Sequence, residues 1–158
     1  MKKRTAAIVV FLSLMPVVKP LLIGTGAVLT SAAVIFSVPE YAKGESASYY
    51  YNRGIDKFDA GDYYGAISDF NKAIEINPRY ADAYYNRGKI KQDNLGDNYG
   101  AISDYNQSIE IDPNYSSNYR NRGIAKELIG DMKGACSDWE KASSLGDKDA
   151  AKWLREDC

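Results

Sequence analysis

The chain contains no histidine in its 158 residues. That absence removes the side chain that most often serves as general base, metal ligand and pH switch near neutrality. Cysteine is scarce too, limited to Cys136 and Cys158. No nucleophile–base pair and no metal-ligand set can be assembled from what remains, so no enzyme, metal or cofactor is expected. Paired carboxylates such as Asp56 and Asp59 lack a glycine-rich cation loop and read as solvated helix faces. Acids are missing from residues 1–39, which hold Lys2, Lys3, Arg4 and Lys19; the remainder carries 16 basic and 21 acidic residues, a net 16 − 21 = −5. With no basic stripe, the acidic part is not a nucleic-acid binder, because phosphate neutralisation supplies most of that affinity.

What is present at the front is a targeting pattern. Lys2-Lys3-Arg4 precedes the apolar run Ala6–Val18, then Lys19-Pro20, then the uncharged run Leu21–Val38. A basic start followed by an apolar run reads as an export signal. The second run would span about 27 Å as a helix, close to the ~30 Å of a hydrocarbon core. Residues 1–38 are therefore expected to be an uncleaved signal-anchor, with the rest on the periplasmic or lumenal side. A cleaved signal peptide and a two-helix hairpin with a cytoplasmic domain are the alternatives. Residues 39–46 read as a linker.

The remainder is written three times. Tyr50-Tyr51-Asn52-Arg53-Gly54, Gly61-Asp62, Gly65-Ala66-Ile67-Ser68-Asp69-Phe70 and Pro78 make the first copy. Tyr84-Tyr85-Asn86-Arg87-Gly88, Gly96-Asp97, Gly100-Ala101-Ile102-Ser103-Asp104-Tyr105 and Pro113 make the second, and Tyr119-Arg120-Asn121-Arg122-Gly123, Gly130-Asp131, Gly134-Ala135-Cys136-Ser137-Asp138-Trp139 the third. Gly54 to Gly88 is 34 residues and Gly88 to Gly123 is 35. This period, with Gly, Ala, aromatic and Pro at fixed offsets, resembles the tetratricopeptide repeat, in a spelling similar to short bacterial, cyanobacterial-type members. The resemblance implies an all-α, right-handed solenoid of helix-turn-helix repeats at 47–80, 81–115 and 116–147, closed by a cap helix at 148–158.

The residues support that architecture. Tyr50, Gly54 and Phe58 share one helix face; Gly61 ends the helix and Asp62 opens the next. Ala66, Phe70, Ala73 and Ile74 form the facing stripe. Gly54, Gly88 and Gly123 are expected to lie against the small Ala66, Ala101 and Ala135, and Ile67, Ile74, Ile102 and Ile109 to join neighbouring repeats. Arg53, Arg87 and Arg122 are expected to pair with Asp69, Asp104 and Asp138 as clamps within repeats. Ala150, Ala151, Leu154 and Cys158 give the cap one apolar face.

The resemblance also implies a concave groove, lined by the first helix of each pair, that takes extended peptides. It maps onto Tyr51, Asn52, Ile55, Tyr85, Asn86, Lys89, Arg120, Asn121 and Ile124. Asn52, Asn86 and Asn121 look like a ladder that holds a peptide main chain, a task suited to a group that donates and accepts. Exposed amides of that kind should be replaceable by alanine without loss of stability. A basic clamp for C-terminal carboxylates fits less well, since Tyr51 and Ile55 stand where it needs other residues. The reading is a scaffold binding protein or peptide partners at a membrane face. A self-associating structural role, with a possible homo-oligomer, is the alternative.

Cys136 and Cys158 each lie eleven residues from Asp147, the centre of the last turn, so an antiparallel pair of helices would bring them together. Export would supply an oxidising compartment. We expect protein taken from its native compartment and alkylated without reduction to show no labelled thiol by mass spectrometry. Two labelled thiols would instead favour the cytoplasmic hairpin.

Overall fold

Each predicted repeat forms a helix pair because its punctuation closes hydrogen bonds that helix ends leave open. The computed structural model describes residues 46–158. They form α1 (Ala47–Asp59), α2 (Tyr63–Ile76), α3 (Ala81–Asp93), α4 (Asn98–Ile111), α5 (Ser116–Leu128), α6 (Met132–Ser144) and α7 (Lys148–Glu156), with no strand among the described residues. The targeting segment and nearly all of the linker lie outside them. Among the described residues no helix is long and apolar enough to cross a membrane.

Asp62, Asp97 and Asp131 accept hydrogen bonds from the backbone N–H of Gly65, Gly100 and Gly134, each at 2.9 Å, and so start α2, α4 and α6. A Cβ on Gly65 would lie 1.9 Å from the Asp62 carboxylate, so the cap itself requires that glycine. α1 stops where Gly61 adopts φ +80°, a left-handed conformation costly for other residues. α6 has no proline after it and stops at Gly146, φ +93°. The extra residue of the second copy falls in the turn between α3 and α4, where Leu95 packs on the first core.

The core lies between the helices of each pair and between neighbouring pairs. Ala66, Phe70, Ala73, Ala83 and Ile90 bury one cluster, with Ile67 and Ile74 against it; Tyr119, Ala135, Trp139, Ala142 and Ala150 bury another, with Ile109 against it. The mid-helix glycines need correction. A Cβ on Gly54 would lie 2.7 Å from the Phe70 ring, and one on Gly123 would lie 2.4 Å from Trp139 Nε1. On Gly88 it would meet Asp104 and Tyr105 at 3.1 Å. At Gly54 and Gly123 glycine therefore makes room for the large ring of the second helix, while at Gly88 the expected Ala101 is also close, its backbone carbonyl 3.3 Å from such a Cβ.

The recurring charges are clamps. Arg87 grips Asp104 with Nε at 2.9 Å and Nη2 at 2.5 Å, and Arg122 grips Asp138 with the same two distances. Arg53 holds Asp69 in the same way. Lys57, Lys91 and Lys126 add a second cation to each carboxylate at 2.8–2.9 Å. The third arm links repeats: Arg87 Nη1 donates to Asn71 of the preceding pair at 2.5 Å, and Arg122 Nη1 to Asn106 at 2.6 Å. The Arg53 guanidinium holds the Asp69 carboxyl below the usual carboxylate range against the opposing effect of burial. A depressed carboxylate pKa stabilises the fold above about pH 4, and that contribution is lost as pH falls through the folded value.

α7 packs on α6 in the register of a further first helix. Tyr119 to Trp153 is again 34 residues, and Trp153 meets Trp139 with ring centroids 5.5 Å apart. Ala150 is buried and Ala151 and Leu154 are half-buried, but Cys158 is exposed and the main cap contact, Trp153, was not among the residues predicted for that face. Cys136 and Cys158 lie within disulfide-bonding distance, their Cα atoms 5.9 Å apart.

Replacing Gly123 by alanine tests the packing. Helix propensity alone would stabilise by ~1 kcal/mol. The collision with Trp139 should reverse the sign and give a net loss of about 1–3 kcal/mol in chemical denaturation. A gain in stability would disprove the ring-accommodation role.

Candidate functional site

The predicted groove residues divide between joints that hold the repeats together and one open pocket. Tyr51 turns into the first joint, where its ring stacks on Tyr80 at 4.9 Å and its hydroxyl accepts from Asn86 Nδ2 at 3.0 Å. Tyr85 repeats the arrangement one unit later: its ring meets Tyr115 edge-on at 5.1 Å and its hydroxyl accepts from Asn121 Nδ2 at 3.1 Å. Burial raises the pKa of both phenols, so each stays protonated at neutral pH. In the third unit Arg120 occupies the tyrosine register and donates to Asp147 at 3.1 Å, with Asp149 at 3.8 Å. Asp149 in turn occupies the register of Tyr80 and Tyr115, so an ion pair replaces the aromatic pair where the cap docks.

The asparagine ladder is therefore not a row of free amides. Asn86 spends its N–H groups on Tyr51 and on the Asp82 carbonyl, and Asn121 is buried against Tyr85. Only Asn52, with no repeat before it, is exposed. Ile124 packs against the third repeat's core.

A pocket of about 270 Å³ opens between α1 and α3. Ile55, Phe58, Phe70 and Ile90 supply its apolar walls, and Asp59, Tyr85, Asn86 and Lys89 the polar ones. Four predicted residues thus meet there: Ile55, Tyr85, Asn86 and Lys89. The sequence reading assigns Phe58 to a packing face and Asp59 to a solvated one, and does not single out Ile90. Phe58 and Asp59 follow Ile55 by three and four residues, the helical spacing that extends one stripe, and that signal was available. Lys89 Nζ binds Asp93 at 2.9 Å and lies 5.8 Å from the centroid of the Phe58 ring. At the next joint the same registers hold Lys89, Gln92 and Asp93, and Gln92 accepts from the Tyr105 hydroxyl at 2.8 Å. Apolar walls belong to the first joint, a hydrogen-bonded filling to the second.

This architecture matches known repeats. Residues 56–94 match a family model described as TPR repeat, and residues 81–115 one described as tetratricopeptide repeat. A stretch of 40 residues is 48% identical to an uncharacterized protein of Methanocaldococcus jannaschii, covering 25% of this chain and 46% of that relative. The chain thus spans about half the length of the curated relative it matches. Among solved structures, the first TPR of Spaghetti (RPAP3) bound to the HSP90 peptide SRMEEVD superposes with a TM-score of 0.65 at 25% identity, over 70% of this chain and 88% of that one. The second TPR domain of human RPAP3, in complex with the HSP70 peptide SGPTIEEVD, gives 0.65 at 28% identity, over 70% and 92%. MamA gives 0.63 at 34% identity, over 68% and 62%. Residues 56–115 thus match tetratricopeptide-repeat models, and the fold is the all-α solenoid of such repeats.

The joints make a prediction opposite to that of an exposed ladder. Asn86→Ala and Asn121→Ala should each lower stability by about 1 kcal/mol, the usual net worth of a lost hydrogen bond, while Asn52→Ala holds or gains. Urea unfolding midpoints measure this. Equal midpoints for all three variants would remove the amide–phenol bonds from the account of the joints.

Proposed function

We propose that this chain is a protein-interaction scaffold that holds extended segments of partner proteins in its concave face. The observation that carries the reading is the open pocket between α1 and α3, where apolar walls and a few polar groups converge. The peptides bound by the two RPAP3 domains support it, since both share this fold over most of their length. Fold alone does not name a partner. On this reading a partner's anchoring side chain enters the pocket.

The scaffold is placed at or beyond a membrane, held there by its N-terminal segment. The basic start and apolar runs of residues 1–38 support this location. So does the bonding geometry of Cys136 and Cys158, which an oxidising compartment would exploit.

A photoreactive benzophenone side chain at Asp59, which lines the pocket, should capture a partner polypeptide in cells. The same group at Tyr64, 75% exposed and not lining the pocket, should not. Equal capture at both positions would overturn the groove as the binding face. Adducts of twice the chain's mass would favour self-association.

A further inference from the structure

Around the pocket between α1 and α3 the charges are not balanced. The cation on the pocket wall, Lys89, is engaged within the fold by Asp93 at 2.9 Å. Two acids are not. Among the described residues, neither Asp59, on the pocket wall, nor Asp82, in the first turn of α3, takes part in a side-chain hydrogen bond or salt bridge. Asp82 is near enough to Tyr51 and Tyr80 for its charge to add to the rise in their phenol pKa values. A ligand in this groove therefore meets apolar walls beside uncompensated negative charge.

The pocket's size narrows the occupant. At about 270 Å³ it falls below the ~300–1,000 Å³ typical of small-molecule sites, and suits one large side chain. Tight peptide recognition concentrates its energy in such an anchor, while neighbouring charges set sign preference and association rate.

We propose that the groove selects an extended segment carrying a bulky apolar residue with lysine or arginine beside it, and discriminates against acidic tails. The apolar side chain fills the space between Ile55, Phe58 and Ile90, and the basic neighbours meet Asp59 and Asp82. The acidic peptides of the RPAP3 complexes have the opposite charge. This inference rests on the groove reading above and specifies its ligand.

The test is selection of a random dodecamer peptide library on the full chain, followed by anisotropy titration of the enriched peptides, with SRMEEVD as the acidic probe. Enriched sequences should pair a large apolar residue with Lys or Arg and bind at least tenfold tighter than SRMEEVD. Their affinity should fall as salt rises. Asp59→Lys, an exposed change at the C-terminal end of α1 where a cation is favourable, keeps the fold and should weaken the basic peptides by roughly three- to tenfold. Asp82→Asn should weaken them in the same direction. Enriched peptides that are acidic, lack an apolar anchor, or bind both variants unchanged overturn the charge inference and leave the groove reading standing. If no peptide is enriched, the groove reading fails with it.

Discussion

The buried carboxylate of each second helix is the constraint on which the rest of the solenoid depends. Asp69, Asp104 and Asp138 are 2–4% exposed, and a lone carboxylate at such a depth would cost several kcal/mol. Each is held by an arginine fork and a lysine from the first helix of its own pair, which fixes how the two helices face each other. Because Arg87 and Arg122 also reach the preceding pair's asparagine, one guanidinium sets both the hairpin and its stacking on the neighbour. Lysine could not do this, since it lacks the planar fork that serves three acceptors in fixed directions.

The lining of the pocket departs from the second joint in several registers, and two of the changes are coupled. At the second joint Gln92 and Tyr105 form a buried hydrogen bond. At the first joint the same registers hold Phe58 and Phe70, neither of which has a polar atom to pair. Exchanging one member alone would leave a buried amide or hydroxyl without its partner, a penalty of about 1–3 kcal/mol. The two changes therefore compensate each other, and what they leave is an apolar opening framed by polar groups.

Much of the architecture was legible because its period exceeds any local ambiguity. The Arg–Asp clamps, the capping aspartates and the turn glycines recur at the repeat length, so each could be read from three instances. The partner of the mid-helix glycine was misjudged because periodicity names which residues recur together and not which touch. Phe70, Tyr105 and Trp139 recur with that glycine as faithfully as the alanines do. The asparagines were misjudged for a related reason. Their register places them near the groove, but a tyrosine of the preceding repeat claims the amide, a contact between residues 35 and 36 positions apart.

α7 depends on its neighbours for its place in the array. It has nine residues, and a free helix of that length is marginal in water. It is held where an intact repeat would be held, by Trp153 in the recurring aromatic register against Trp139, and by Arg120 bound to Asp147, whose carboxylate also caps the helix at Ala150 N–H. Cys158, just past the last turn of α7, comes within bonding distance of Cys136 on α6, and a bond there would close a loop of 22 residues. On the chain-entropy account such a closure is worth about 3 kcal/mol, as much as the packing of a modest side chain.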